Sequence, residues 1–172
     1  MERGEKMARG LGASELADLY EKYAPTVHGR ARTLLGRDSD AWDAVQEVFC
    51  RLLQAGGAFR AEARPMTYIF RVTTHVCLNM LRSRALKDVP AQAPSEAEEA
   101  GADPQEVEAR NLLRVLAREL DDRALQIATL HFVDALTQEE IVEVVGLSRK
   151  TVGRELEKVR ARARELALEP RP

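Results

Sequence analysis

The chain has 172 residues, of which 45% are hydrophobic and 5% aromatic, and a formal net charge of -2. This length suits one mid-sized domain or two small ones, and the predominance of Ala, Leu, Arg and Glu favours an all-α fold. No stretch approaches the roughly 18 consecutive apolar residues of a membrane span, and residues 1–10 lack the apolar core of a signal peptide. We therefore expect a cytoplasmic protein without membrane insertion.

The charges are unevenly distributed along the chain. Residues 1–87 hold 14 Lys and Arg against 10 Asp and Glu, residues 88–106 hold six acids and no Lys or Arg, and residues 107–168 hold 11 of each sign. The acidic segment also contains three prolines and only small apolar side chains, which predicts a flexible linker. The predicted organisation is a tail (1–13), a helical domain (14–87), the linker (88–106), a second helical domain (107–168) and a tail (169–172).

Apolar residues recur at helical spacing in both predicted domains. Gly36 is expected to end the first helix, and Pro65 suits the first position of the third. The helices predicted in the first domain are 15–35, 40–53 and 65–86, and those in the second are 106–119, 123–133, 138–145 and 149–168.

The strongest functional pattern is TQEEIVEVVGLSRKTVGREL, residues 137–156. Thr137 and Glu140 have the spacing of a capping box, Gly146 permits a left-handed turn, and Ser148 can cap the following helix. This combination predicts a helix-turn-helix whose second helix enters a DNA major groove, although an ordinary helical hairpin with a solvated second helix is the alternative. The side chains predicted to contact DNA are Ser148, Arg149, Lys150, Thr151, Arg154 and Lys158.

Two further patterns lie in the first domain. The segment DAWDAVQEVF places four polar side chains on one helical face, and periodicity alone favours a solvated surface for them. These four residues are Asp40, Asp43, Gln46 and Glu47. The segment TYIFRVTTHVCLNMLRSR, residues 67–84, combines aromatic, polar and basic side chains, which suits single-stranded nucleic acid, although core aromatics with charged helix ends are the alternative.

The sequence lacks the residue constellations of an enzyme or a metalloprotein, so we expect neither catalysis nor a cofactor. His28, His75 and His131 are scattered along the chain. Cys50 and Cys77 lie in helical apolar patterns without metal-ligand spacing, and we expect both to be buried, reduced thiols.

Taken in order, these segments resemble the extracytoplasmic-function (group IV) sigma factors of bacterial RNA polymerase, over residues 16–166. The segment DAWDAVQEVFCRLL is similar to the D-A-x-D-x-x-Q-E-x-F segment of that family, which docks on the coiled coil of the polymerase β′ subunit. The helix from Pro65 resembles the one that opens the -10 promoter element, the loop 59–64 resembles the one that takes up a flipped base, and the helix-turn-helix resembles the reader of the -35 element.

The resemblance implies partners and contact residues. The partners are core RNA polymerase (β′ coiled coil and β flap), promoter DNA and an anti-sigma factor. The resemblance assigns Asp40, Asp43, Gln46 and Glu47 to polymerase binding, and Arg60, Glu62, Tyr68, Arg71, His75, Asn79, Arg82 and Arg84 to the -10 element. It assigns the six helix-turn-helix side chains to the -35 element.

This chain departs from the family pattern at several positions. Tyr68 stands where Trp is usual, His75 where Asn is usual, and Trp42 where an acidic residue is common. Gly153 and Glu155 stand at recognition-helix positions that are often basic or polar. An acidic side chain there opposes phosphate and is expected to pair with a lysine of the same helix, either Lys150 or Lys158.

Two other functions fit parts of these patterns. If the chain were a helix-turn-helix regulator that acts as a homodimer, we would expect a dimerisation surface in residues 1–87 and palindromic DNA sites. The acidic segment around Asp43 and the aromatic-basic segment 67–84 argue against this function. If the chain were an adaptor or anti-sigma protein of similar fold, it would bind the transcription machinery but would not start transcripts at defined promoters.

Overall fold

The structure is a computed structural model and describes residues 12–55, 65–86 and 103–168. Every regular element in these residues is helical, which confirms the all-α prediction. The helices are α1 (Ala13–Leu35), α2 (Asp38–Ala55), α3 (Pro65–Leu86), α4 (Pro104–Glu119), α5 (Asp122–Ala128), α6 (Gln138–Val145) and α7 (Arg149–Leu168). None of the helices in the described part of the chain is both long and apolar enough to cross a bilayer.

The described residues form two compact units. The first comprises residues 12–55 and 65–77, and the second comprises residues 78–86 and 103–168. The division lies inside α3, whereas the sequence predicts a boundary at the linker 88–106. Residues 87–102 lie outside the described part, so the flexible linker stays a prediction there, as do the tails. Its predicted end at residue 106 is wrong, because α4 already begins at Pro104.

The core of the first unit forms where α1 and α2 pack against each other. Gly36 ends α1 in the left-handed conformation, with φ 88°, and its N–H donates to the carbonyl of Arg32. Six apolar residues that recur at helical spacing along α2 are buried, namely Ala41, Ala44, Val45, Val48, Phe49 and Leu52. Burial of these side chains follows their helical spacing, which shows that the periodicity identified this face correctly.

The two cysteines have different environments. Cys77 is buried and reduced, as predicted, and burial raises its pKa to about 12 against a smaller opposing effect of Arg30. Cys50 is reduced but exposed, so its predicted burial is wrong. It follows the inward Phe49 in the helix, and the rotation of about 100° per residue turns it away from the core.

In the second unit, α5 and α6 both pack on α7. Helix α4 begins at Pro104, two residues before the predicted start, because the Asp103 side chain caps it by accepting a hydrogen bond from the N–H of Gln105 at 2.9 Å. Asp121 caps α5 in the same manner, accepting from the N–H of Ala124 at 2.8 Å.

The end of the predicted helix 123–133 is a π-helical turn, Thr129–Val133. The N–H of Asp134 donates to the carbonyl of Thr129 at 3.2 Å. Nδ1 of His131 lies 3.0 Å from the carbonyl oxygen of Leu136 and donates to it, since a carbonyl only accepts. Ala135 then has a φ of 53°, in the left-handed region that disfavours any residue with a Cβ. This strained turn leads into α6.

Candidate functional site

Helix α2 exposes a polar surface with one aromatic side chain. Asp43, Gln46 and Glu47 are exposed, as the polar spacing predicts. Asp40 is only 4% exposed, so its predicted place on the exposed face is wrong. It lies one helical turn before the buried Ala44, at the border of the core side.

Trp42 completes this surface. We define the α2 face as Trp42, Asp43, Gln46 and Glu47, which are all exposed and lie within five or fewer positions of each other on one helix. The indole is 44% exposed, and its ring centroid lies 4.5 Å from that of His28 on α1. This stack keeps a large aromatic side chain in place on the surface, where aromatic residues contribute strongly to protein interfaces.

The charges of the α2 face differ in their internal partners. Glu47 accepts a hydrogen bond from Nε of Arg51 at 2.7 Å. Within the described residues, Asp43 makes no ion pair or hydrogen bond, so its carboxylate is available to a basic partner. His28, which supports the indole, lies with Nε2 3.0 Å from Oδ1 of Asp38. Sequence spacing gave no sign of this support, because His28 and Trp42 lie on different helices.

Helix α3 carries a stripe of predicted nucleic-acid contacts. Tyr68, Arg71, His75, Asn79 and Arg82 follow one another at intervals of three or four residues, so they line one side of the helix. The Arg71 guanidinium lies 5.1 Å from the centre of the Tyr68 ring. Burial, and then the nearby charge of Arg51, lower the pKa of His75, which favours the neutral imidazole.

Three of the predicted -10 contacts are not part of this stripe. Arg84 falls on a different side of α3 by helical geometry. Arg60 and Glu62 belong to the loop 59–64, which lies outside the described residues, so their roles remain predictions.

The opposite side of α3 is structural. Thr73 and Thr74 are buried, and their hydroxyls donate to the carbonyls of Ile69 and Phe70 one turn earlier, at 2.8 and 2.9 Å. The guanidinium of Arg30 on α1 stacks over the Phe70 ring at 4.3 Å and donates to Oγ1 of Thr74 at 3.1 Å. The polar threonines of this segment therefore hold α3 in the first unit and do not face solvent.

Arg82 has an intramolecular role in the second unit. Its Nε donates to the carbonyl of Ala117 at 3.2 Å, and its guanidinium also contacts the carbonyl of Leu120 and the carboxylate of Asp122. These groups lie at the end of α4 and the start of α5, where a helix leaves carbonyl groups without internal partners. A contact between Arg82 and DNA, as predicted, would have to compete with this arrangement.

Helices α6 and α7 have the caps and the turn that the sequence predicts for a helix-turn-helix. The N–H of Thr137 donates to Oε2 of Glu140 at 2.8 Å, and the N–H of Glu140 donates to Oγ1 of Thr137 at 3.3 Å, which completes the capping box. The Oγ1 hydroxyl of Thr137 also donates to Oε2 of Glu140 at 2.8 Å, and the hydrogen bonds that this carboxylate accepts from the N–H and the hydroxyl of Thr137 lower its pKa. Gly146 ends α6 with φ 70°, and Oγ of Ser148 accepts from the N–H of Thr151 at 3.2 Å at the start of α7.

Helix α7 is anchored by an apolar side and exposes its cations. Val152, Leu156 and Val159 are buried. The predicted cations Arg149, Lys150, Arg154 and Lys158 are all exposed.

Most of these cations lie beside carboxylates. Arg149 pairs with Glu139 of α6 at 3.1 Å, and Lys158 and Arg154 lie 2.9 and 3.7 Å from the carboxylate of Glu155. The expected pairing of Glu155 with Lys158 is confirmed. Among the residues that the structure describes, Lys150 makes no ion pair. Glu139 was not identified from the sequence, since its pair joins two helices.

Residues 19–86 match the family model for Sigma-70 region 2. The matched segment contains α2, α3 and most of α1, and therefore the whole α2 face and the stripe on α3. No curated protein gives a significant match to the chain. The region 2 match supports a sigma factor of the sigma-70 family that acts in transcription initiation and binds core RNA polymerase.

Proposed function

We propose that the chain is an alternative sigma factor of the extracytoplasmic-function group, and that it directs core RNA polymerase to promoters with defined -10 and -35 elements. It works in the cytoplasm, where the polymerase is, and the polymerase carries out the catalysis. The observation that carries this proposal is the exposed α2 face within a segment that matches Sigma-70 region 2.

The α2 face is the proposed contact with the β′ coiled coil. Its two carboxylates, Asp43 and Glu47, are exposed, and Asp43 makes no ion pair within the described residues. Trp42 adds apolar area at the edge of this face, next to Gln46. An aromatic side chain on the same face as two acids suits a basic helical partner, because arginines can pair with the carboxylates and stack on the indole.

The stripe on α3 is the proposed contact with the opened -10 element. Base pairs must separate before single-stranded bases can be held, and aromatic stacking together with hydrogen bonds compensates for the lost pairing. Tyr68 offers the aromatic ring, and Asn79 and a neutral His75 offer hydrogen-bond donors and acceptors. The loop that contains Arg60 and Glu62 is assigned to a flipped base only through the family resemblance.

Helices α6 and α7 are the proposed reader of the -35 element, and the second unit is the proposed contact with the β flap. In a helix-turn-helix, the first turns of the second helix meet the base edges, and Arg and Lys can donate to guanine or phosphate. Each domain alone is small, but a linker that holds both on the polymerase would combine weak contacts through effective concentration. An anti-sigma factor is the proposed regulator.

Run-off transcription tests the proposal. Purified chain and core RNA polymerase are incubated with genomic DNA fragments, and the transcript starts are mapped. We expect transcripts that depend on the added chain and begin downstream of a shared pair of sequence elements. Identical transcripts with and without the chain would disprove the proposed function, and a stable homodimer that binds palindromic sites would favour the alternative regulator.

A further inference from the structure

Glu155 is a buried carboxylate on the helix that is proposed to read DNA. It is 2% exposed, although it lies on α7 between exposed basic residues. A buried carboxylate is costly unless a positive charge lies beside it. The basic side chains next to Glu155 in α7 therefore stabilise its buried charge.

The ion pairs of Glu155 engage two of the proposed DNA contacts. Oε2 of Glu155 lies 2.9 Å from Nζ of Lys158, and Oε1 lies 3.7 Å from a guanidinium nitrogen of Arg154. Oε2 is buried and receives no well-directed hydrogen bond, so proximity of opposite charge is its main compensation. If Lys158 moved to a phosphate, this oxygen would lose that compensation.

We propose that Glu155 is a positioning residue that withholds Lys158, and to a lesser degree Arg154, from DNA phosphates. This inference rests on the proposed function of α7 in DNA binding. Sequence-independent affinity for DNA grows with the number of phosphates that cations neutralise. By holding back two cations, Glu155 keeps that affinity low, so that binding by α7 depends more on base contacts from residues such as Lys150.

The test measures binding of the full chain to a fluorescein-labelled DNA duplex of random sequence, by fluorescence anisotropy over a range of salt concentrations. Glu155→Gln keeps the size of the side chain but removes the charge. We expect tighter binding and a log-log salt dependence that is steeper by about 0.9 for each cation released. Each fourfold dilution of the salt would then widen the affinity gap between variant and natural chain about 3.5-fold.

A matched control separates local release from the change in net charge. Glu157→Gln makes the same substitution on the same helix, but Glu157 is exposed and pairs with Arg160 at 2.8 Å. We expect it to steepen the salt dependence less than Glu155→Gln does. Adding Lys158→Gln to the Glu155→Gln chain should remove most of the gain in DNA affinity and salt dependence. A purely structural role of Glu155 would not predict this reversal.

The salt slopes decide whether Glu155 withholds Lys158 from DNA. An unchanged salt slope in a folded Glu155→Gln chain, or an equal change in Glu157→Gln, would overturn the inference. If Glu155→Gln fails to fold by circular dichroism, the decision passes to Lys158→Gln and Lys150→Gln in the natural chain. A smaller loss of slope for Lys158→Gln supports withholding, and an equal loss refutes it. Binding of the natural chain to core RNA polymerase is measured in parallel. Absence of this binding would count against the proposed function, whatever the salt slopes of the variants are.

Discussion

The two helices that carry the proposed contacts, α2 and α7, have exposed surfaces of opposite charge and different internal compensation. The α2 face presents Asp43 without an ion pair in the described residues, beside an indole that His28 supports. In α7, three of the four predicted cations lie beside a carboxylate. This difference fits the two proposals, namely that α2 binds a protein partner and that α7 holds some of its cations away from phosphate.

Truncating a core side chain of α7 should have the largest effect on stability. It also tests whether DNA binding by α7 can be lost while polymerase binding by α2 is kept. Leu156 is fully buried, and Leu156→Ala is expected to destabilise the second unit by about 2–5 kcal/mol. Hydrogen exchange should then rise in peptides of α5, α6 and α7, and DNA binding should fall.

The same variant should still bind core RNA polymerase through α2. Pull-down with the polymerase provides that measurement, and Leu52→Ala, at a buried position of α2, is the reciprocal control. If Leu156→Ala abolished polymerase binding as completely as DNA binding, the two surfaces could not be treated as independent.

Reversing a charge on the α2 face should have the next largest effect. Asp43→Arg places a cation where a basic partner is proposed, and we expect at least about tenfold weaker binding to core RNA polymerase, or about 1.4 kcal/mol. The matched control is Glu21→Arg, which makes the same charge change at an exposed position of α1. Equal affinities for the two variants, measured by fluorescence anisotropy, would argue against docking through this face.

A change at the turn before α6 should have a smaller effect, on stability alone. Ala135 has a φ of 53°, where glycine is favoured over residues with a Cβ. Ala135→Gly is expected to raise the free energy of unfolding by about 1 kcal/mol without changing the salt dependence of DNA binding. Urea unfolding followed by circular dichroism measures the first effect. A loss of stability would mean that the turn does not strain the alanine.

The smallest expected effect is a change in folding stability at low pH that depends on Glu140. The pKa of Glu140 is lowered from 4.5 by the hydrogen bonds from Thr137, so its contribution to folding is present above about pH 4.5 and is lost as the pH falls through the lower folded-state value. Glu140→Gln keeps a capping side chain but does not titrate. The difference in unfolding midpoint between natural chain and variant should therefore change as the pH is lowered through this range, and a constant difference would contradict the capping role.

Local patterns predicted much of the fold, together with the caps and the turn of α6 and α7. The capping box of Thr137 and Glu140, the turn at Gly146 and the buried apolar side of α2 were all identified from residues that lie within a few positions of one another. Such features depend on backbone hydrogen bonds and helical periodicity, which a short segment determines by itself. The start of α4 at Pro104 was missed because the acidic, proline-containing composition of the segment concealed its cap at Asp103.

The tertiary structure alone decided the burial and pairing of individual polar side chains. Periodicity placed Asp40 with the exposed residues of α2 and Cys50 with the buried ones, and both were wrong. The stack of Trp42 on His28 and the pair of Arg149 with Glu139 join different helices, so no spacing within one helix could reveal them. The sequence by itself thus determined the capping box, the turn at Gly146 and the inward side of α2, since these are local properties. The environment of each charge depends on what other helices bring beside it, which only the packed chain determines.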